Sequence, residues 1–172
     1  RRRSATQWHP MDGDRITVFL ADDNTLVREG VKALLSIEKD IEVVGTAEDY
    51  DGLVEGATAA HPQVVVSDIR MPPNFQDEGI VGSKEVRKRH PGTGVVILSQ
   101  YDDPEYAIAL LDEGAAGYAY LLKDRVAEGD QLARAVRAVA TGGSVLDPKI
   151  VEALVRPHTG DGDLTPAEEE LL

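Results

Sequence analysis

The sequence has no cysteine and no long apolar run, and each absence excludes a class of protein. Without cysteine there can be no disulfide, no thiolate metal site and no thiol-based active site. No apolar run approaches the roughly 20 residues of a membrane span, and residues 1–4 lead into no apolar signal core. Nothing in the composition requires an oxidising compartment, so we expect a cytoplasmic protein with no membrane partner.

Positive charge is also scarce, since 18 lysines and arginines stand against 31 aspartates and glutamates, for a formal net charge of −13. A surface this acidic repels nucleic-acid phosphates, so this chain by itself is not expected to bind DNA. The excess acid has two interpretations that can hold together. One is solubility, and the other is that some carboxylates cluster to hold a hard cation.

The sequence does contain a buried-strand pattern that ends on an acid. Residues 64–66 are three valines, followed by Ser67 and Asp68, and Met71 and Pro72 then turn the chain. An unbroken β-branched run is typical of a strand buried on both faces of a parallel sheet. A carboxylate at its end is costly to bury unpaired, and ligands of open α/β sheets bind at that edge. Asp68 is therefore the first candidate site residue.

Similar apolar segments alternate with helical periodicity along the chain. Strands are predicted over 16–20, 41–44, 64–68, 95–99 and 118–122. Helices are predicted over about 26–35, 51–60, 79–90, 104–114 and 132–139, with a small last helix to about 155. Five strands alternating with five helices predict an α/β fold, a doubly wound parallel sheet with helices on both faces.

Composition divides the chain into five regions. Residues 1–14 are interpreted as a disordered lead or a cloning remnant, 15–141 as the main domain and 142–156 as a short helical extension. Residues 157–163 are a polar linker. Residues 164–172 combine a capping box, Thr165 with Glu168, and Pro166 at the first helical position, so a second domain is expected to start there and be cut short.

Five polar residues lie where predicted strands end: Asp22, Asp23, Asp68, Ser99 and Lys123. The carboxyl ends of parallel strands lie side by side, so these residues should meet. Three ionised carboxylates need a counter-charge, which Mg²⁺ supplies with oxygen ligands, while the hydroxyl and the lysine suit phosphoryl oxygens. Each residue alone has an ordinary explanation, such as a helix cap or a solvated strand end. Together at one edge they predict a phosphoryl-transfer site.

With these residues, the chain resembles the receiver domain of bacterial two-component response regulators. The resemblance lies in Leu20-Ala21-Asp22-Asp23-Asn24, in Asp68-Ile69-Arg70-Met71-Pro72, in Ser99 and in Tyr120-Leu121-Leu122-Lys123-Asp124. The motif at 142–148 and the segment 164–172 are similar to the NarL/FixJ branch, which carries a LuxR-type helix-turn-helix output domain. The resemblance implies a flavodoxin-like receiver over 15–141 with five strands in the order 2-1-3-4-5.

The resemblance also implies a role for each site residue. Asp68 would be the phospho-acceptor, and Asp23, Asp68 and the backbone carbonyl of Arg70 would bind Mg²⁺ directly, with Asp22 acting largely through water. The remaining three roles concern the phosphorylated state: Lys123 would contact the acyl phosphate, Ser99 would follow the phosphoryl group inward, and Tyr120 would be the aromatic switch.

The partners follow from the same resemblance. A sensor histidine kinase would supply the phosphoryl group, and DNA would be bound by the missing output domain and not by this chain. A homodimer through helix faces is compatible with this class. The protein would not be an enzyme in the usual sense, because its Mg²⁺-dependent phosphorylation and dephosphorylation act on itself.

The sequence departs from the family pattern in three places. Segment 72–78 is longer than the usual short turn, Gln100 is bulkier than the residue often found after the serine, and 114–119 is extended, so Tyr118 could replace Tyr120 as the switch. Two alternative functions follow. A phosphatase of the haloacid-dehalogenase kind would need an acid where Arg70 stands. A phosphorylation-independent receiver would act as a dimerisation or scaffold module.

Overall fold

The structure is a computed structural model that describes residues 15–100, 104–126 and 130–155. The predicted lead 1–14, linker 157–163 and output-domain start 164–172 lie outside the described residues. The elements are, in order, β1 Ile16–Ala21, α1 Thr25–Ser36, β2 Ile41–Ala47, α2 Tyr50–Ala60, β3 Val64–Asp68, α3 Glu78–Arg89, β4 Gly94–Ser99, α4 Pro104–Leu111, β5 Tyr118–Leu122, α5 Lys123–Val126, α6 Gln131–Ala140, β6 Val145–Leu146 and α7 Pro148–Val155.

The strands form one sheet in the order β2-β1-β3-β4-β5-β6, and every pairing is parallel. The predicted α/β class and the order 2-1-3-4-5 are therefore confirmed. The central strands β3 and β4 are buried along almost their whole length, as their unbroken apolar sequences predict.

Alternate residues of the strands point to opposite faces and build separate parts of the core. On one face, Val66 and Leu98 pack with the apolar sides of α1 and α6. On the other, Ile97 and Tyr120 pack with α3, α4 and α7, and Phe19 packs with α2. Both faces are covered, so the strand ends remain the open edges of the sheet.

The structure differs from the sequence prediction in the last part of the described chain, after β5. A sixth strand, β6, pairs with β5 through Ala119 opposite Val145 and Tyr120 opposite Leu146, in the segment 142–156 that was predicted only as a short helical extension. A two-residue strand is too short to have a periodic pattern. Lys123 also begins the one-turn helix α5 instead of simply ending a strand. The predicted small last helix is confirmed as α7, which packs against the α4 side of the sheet through Ile150.

Two features of the helices have clear physical causes. The side chain of Asn24 accepts a hydrogen bond from the Val27 amide and caps the start of α1. Gly56, a poor helix former inside α2, lies against the Phe19 ring, and an added Cβ would approach that ring to 2.6 Å. Glycine lowers the helix propensity at this position, but it allows the helix to pack closely against the Phe19 ring.

Candidate phosphoryl-transfer site

Asp68 is the last residue of β3, and the surrounding backbone holds it there. One carboxylate oxygen, Oδ1, accepts a hydrogen bond from the Ile69 amide at 2.8 Å. The Ser67 hydroxyl donates to the Asp68 carbonyl at 2.8 Å. The start of α3 packs directly on this point, because the Gly79 amide donates to the Ile69 carbonyl at 2.7 Å. A Cβ at Gly79 would lie 1.6 Å from the Asp68 carbonyl oxygen, so only glycine fits.

The loop after β1 brings two further acids to the same edge. Asp22 is buried and its carboxylate accepts a hydrogen bond from the Asn24 amide at 2.9 Å. Its backbone is fixed on both sides, since its amide donates to the Ala47 carbonyl and its own carbonyl accepts from the Arg28 guanidinium. Asp23 is partly exposed beside it. The loop therefore presents one buried carboxylate and one that is accessible to solvent.

Carboxylate oxygens of Asp22, Asp23 and Asp68 all lie within 4.8 Å of one another, as the strand ends predicted. The Lys123 ammonium sits between two of them, 3.1 Å from Asp22 Oδ2 and 3.3 Å from Asp68 Oδ2. Lys123 comes from the first residue of α5, immediately after β5. One cation thus serves one buried and one partly buried acid, and the site has more negative than positive charge.

The environment of Asp68 opposes its ionisation. Burial raises the pKa of Asp68 above its ordinary value, and the neighbouring Asp22 charge acts in the same direction. Lys123 and the Ile69 amide lower this pKa but do not cancel the effect. Additional positive charge at the site would therefore favour the ionised carboxylate.

The donor set fits a hard divalent cation. Mg²⁺ prefers oxygen ligands, often one or two carboxylates completed by water and a phosphoryl oxygen. The three carboxylates offer that set, because their oxygens lie within 4.8 Å of one another and Asp23 and Asp68 are partly exposed. No other group of three or more potential ligands lies this close together among the described residues.

The other predicted site residues lie near this cluster or on the strands that lead to it. Ser99 is the buried last residue of β4 and pairs with Leu122, the neighbour of Lys123. Tyr120 is fully buried in the middle of β5. Tyr118 is on the same face, and the Arg87 guanidinium covers its ring at 4.3 Å from the centroid. Arg70 follows β3, and its Nε donates to the Tyr106 hydroxyl on α4 at 2.9 Å.

Sequence reasoning did not identify Glu78, which holds the extended 72–78 segment beside Asp68. Its buried carboxylate accepts hydrogen bonds from the Asn74 amide at 2.7 Å and the Gln76 amide at 2.8 Å. Burial alone would raise the pKa of Glu78, but these amide hydrogen bonds outweigh burial and lower it. No sequence signal separates this acid from the neighbouring surface acids.

Comparison with known proteins agrees with this geometry. The family model described as the response regulator receiver domain matches residues 18–137. Among curated proteins, the transcriptional regulatory protein DegU of Brevibacillus brevis is 36% identical over 145 residues, which cover 84% of this chain and 58% of that protein. The chain thus spans about three fifths of the length of the curated relatives it matches.

Two solved structures are similar to this fold. The signal receiver domain of NarL from Mycobacterium tuberculosis is 34% identical with a TM-score of 0.65, covering 75% of this chain and 98% of that one. The Salmonella typhimurium response regulator RcsB, in a structure that concerns DNA interaction, is 26% identical with a TM-score of 0.71, covering 91% and 74%. Among the described residues, no helix is long and apolar enough to cross a membrane.

Proposed function

Because this chain belongs to the response regulator receiver domain family, we propose that it accepts a phosphoryl group on Asp68 from a sensor histidine kinase and thereby switches an output domain. The observation that carries this proposal is the arrangement of three carboxylates within 4.8 Å of one another, with Lys123 bridging two of them. A structural salt bridge needs one acid for one lysine. The surplus acids indicate a site built for a cation and a phosphoryl group.

Asp23 and Asp68 would hold Mg²⁺ directly, together with the Arg70 carbonyl, and Asp22 would act largely through water. When bound, Mg²⁺ neutralises negative charge on the carboxylates and on the phosphoryl oxygens. The burial of Asp22 and the partial exposure of Asp23 support this division of roles. The hydrogen bonds to the carboxylate and to both backbone groups of Asp22 keep this residue in position with or without Mg²⁺.

In the proposed transfer, a carboxylate oxygen of Asp68 forms a bond to phosphorus as the nitrogen–phosphorus bond of the kinase phosphohistidine breaks. The electron pair of that bond leaves with the imidazole, and Asp68 becomes an acyl phosphate. The nearby ammonium of Lys123 would stabilise charge on the transferred oxygens. Ser99, one strand away at the same edge, would donate its hydroxyl to a phosphoryl oxygen.

Tyr120 is the proposed switch because its side chain is fully buried among α4 and α7 on the strand that leads to Lys123. Tyr118 remains the alternative, but the Arg87 guanidinium packs over its ring and holds it to α3. A phosphoryl group on Asp68 adds charge and hydrogen-bond acceptors beside the end of β5, so a shift of Lys123, or of Ser99 paired with Leu122, would reach Tyr120 along β5.

The longer protein would use this switch to regulate transcription, with DNA bound by the output domain that begins near residue 164. The names of DegU, a transcriptional regulatory protein, and RcsB, in a structure concerning DNA interaction, support this extension. A homodimer of receivers would place two output domains together. The phosphorylation would remain a reaction of the protein on itself, without turnover of a separate substrate.

The direct test is the intact mass of the chain after incubation with Mg²⁺ and a phosphodonor. We expect a gain of one phosphoryl group, which is lost in Asp68→Asn and in EDTA. Acetyl phosphate is the first donor, and kinases come second because Gln100, exposed next to Ser99, could hinder small donors. If no donor gives the mass gain while the protein stays folded, the acceptor assignment is wrong and the scaffold function replaces it.

A further inference from the structure

Asp147 is a further buried acid that lies outside the three-carboxylate cluster. Its side chain has no exposed surface, and its Oδ2 is 3.2 Å from the Arg125 Nε in an ion pair. Among the described residues, Asp147 Oδ2 accepts no hydrogen bond, so its contact with Arg125 is an ion pair without an aligned N–H donor. A buried carboxylate requires a counter-charge, and Arg125 is the one the structure provides.

Asp147 also organises the chain that follows the sheet. Its amide donates to the Tyr120 carbonyl at 2.9 Å, which extends the β5–β6 pairing by one bond. Its Oδ1 accepts a hydrogen bond from the Lys149 amide, and its carbonyl accepts from the amides of Ile150 and Val151, so it starts α7. Asp147 therefore fixes both the last strand and the last helix of the described chain.

Arg125, the partner of Asp147, lies two residues after Lys123 on the same one-turn helix, Lys123–Val126. Lys123 is the residue whose ammonium contacts Asp22 and Asp68. Helix α5 thus carries one cation toward the carboxylate cluster and one toward Asp147. Because one turn of helix moves as a unit, the ion pair at one cation constrains the position of the other.

We infer that Asp147 is a positioning residue for the phosphoryl site, holding Lys123 in place through Arg125 and coupling the segment 145–155 to the state of Asp68. The inference rests on the proposed function and adds a regulatory connection to it. Coupling of this kind is reciprocal, so whatever draws Lys123 toward a phosphoryl group should also change the stability of β6 and α7. That segment leads directly to the residues where the output domain is expected.

Two variants separate this role from simple packing. Asp147→Asn keeps an oxygen for the Lys149 amide and so preserves the start of α7, but it removes the charge that pairs with Arg125. Arg125→Gln removes the other charge. The matched control is Arg134→Gln, which breaks an exposed ion pair between α6 and Asp130, the residue that precedes this helix, and involves neither α5 nor Asp147.

The first readout is the rate at which acetyl phosphate and Mg²⁺ label Asp68, followed by intact mass. We expect each variant to be slowed about tenfold and the double variant no further, because both changes break one interaction. The control should label at the wild-type rate. Wild-type labelling in both Asp147→Asn and Arg125→Gln would overturn the inference while leaving the proposed function intact.

The second readout is hydrogen–deuterium exchange with and without beryllofluoride, an acyl-phosphate analogue. In the wild type, the analogue should change exchange in 145–155. Each variant should lose that response, and peptides from 16–36 should exchange as in the wild type, which excludes general unfolding. An unchanged response in both variants would overturn the coupling.

Failure of the proposed function gives a different result. If no phosphodonor labels the wild type, hydrogen–deuterium exchange of residues 118–126 in the absence of beryllofluoride still tests the inference. Faster exchange there in Asp147→Asn than in Arg134→Gln supports the positioning role. Equal exchange overturns it.

Discussion

At the residue scale, Asp68 is a carboxylate placed where its own burial opposes ionisation. Burial and the neighbouring Asp22 charge raise the pKa of Asp68, and Lys123 only partly compensates. An acid with a raised folded-state pKa stabilises the fold below its ordinary pKa and loses that contribution as pH rises through the folded value. Near neutral pH, the metal-free site therefore lowers the stability of the domain to keep a reactive group in place.

Asp68→Asn should therefore stabilise the metal-free protein. We expect a Tm higher by a few degrees at pH 7 in EDTA, which for a domain of this size corresponds to about 1 kcal/mol. The gain should be small near pH 4 and should grow to a plateau as pH rises. Thermal unfolding followed by circular dichroism from pH 4 to pH 8 measures it.

The control for this experiment is Glu113→Gln, which removes an equal charge from an exposed position. It should leave Tm within about 1 °C, as for ordinary surface substitutions. Added Mg²⁺ should stabilise the wild type more than Asp68→Asn. A lower Tm for Asp68→Asn at pH 7 in EDTA would contradict the assignment of a raised pKa.

Arg137 has the opposite effect on its neighbour Asp40, since it stabilises the ionised form of that acid. Its guanidinium donates to both carboxylate oxygens of Asp40, at 2.7 and 2.8 Å, and to Glu38, tying α6 to the turn before β2. The hydrogen bond from Arg137 lowers the pKa of Asp40, although burial partly opposes it. That contribution is present above the ordinary aspartate pKa and is lost as pH falls through the lowered value.

Arg137→Lys keeps the charge but loses the two-pronged geometry, so we expect a loss of about 1 kcal/mol of stability at pH 7 that shrinks toward pH 3. Urea unfolding at several pH values measures this difference. Arg134→Lys, at an exposed pair in the same helix, serves as the comparison and should change stability by less than about 0.5 kcal/mol. Equal losses of stability in the two variants would refute the role given to the paired hydrogen bonds from Arg137 to Asp40.

The residues of the site were predictable to different degrees. Asp22, Asp23, Asp68 and Lys123 each follow an apolar strand, and parallel pairing brings such positions together whatever the details. Glu78 and Asp147 lie in segments without periodicity. In such segments the local sequence does not distinguish an acid that becomes buried from one that stays exposed. Their burial depends on tertiary contacts that local sequence does not encode.

At the scale of elements, the contact between β3 and α3 decides the geometry of the site. Gly79 allows the start of α3 to touch the end of β3, where any Cβ would overlap the Asp68 carbonyl oxygen. The same glycine donates its amide to Ile69. Moving α3 outward would break this hydrogen bond and displace the 72–78 segment that Glu78 holds.

Gly79→Ala should cost about 3 kcal/mol of stability and abolish or strongly slow the labelling of Asp68. The reason is that the added Cβ forces the backbone at the start of α3 away from the end of β3. Chemical denaturation and intact mass measure the two effects. Gly92→Ala is the control, since an added Cβ there meets nothing within 4 Å and should change neither. A Gly79→Ala protein with wild-type stability would mean that the close approach is not needed.

The elements themselves followed from periodicity, with exceptions at the end of the domain. Strand β5 was predicted over 118–122 and has those bounds, while α3 begins one residue before its predicted start. The missed elements, β6 and α5, have two and four residues. Elements that short are determined by the neighbour they pair with and not by their own sequence.

At the scale of the whole molecule, the question is where the folded unit ends. The predicted boundary at residue 141 would leave out β6 and α7. In the structure, β6 covers the edge of β5, and Ile150 of α7 is fully buried in the same cluster as Tyr120. An uncovered strand edge with exposed apolar side chains promotes association between chains.

A chain that stops after residue 141 should therefore unfold at a Tm lower by about 5 °C or more and should self-associate at high concentration. A chain that stops after residue 155 should match the full chain in both respects. Calorimetry and light scattering on the two truncated proteins test this. If both behave alike, residues 142–155 are dispensable for the fold and the shorter boundary stands.

The parallel sheet, together with the absence of cysteine, has a practical consequence. All strand starts lie at the edge opposite the carboxylate cluster, and there the exposed turn at Gly92 joins α3 to β4. Because the chain contains no other thiol, Gly92→Cys would give one reactive sulfur, at a position with space for a side chain. A maleimide dye or biotin attached there would leave the opposite edge open to a kinase, so phosphotransfer could be watched on single immobilised molecules.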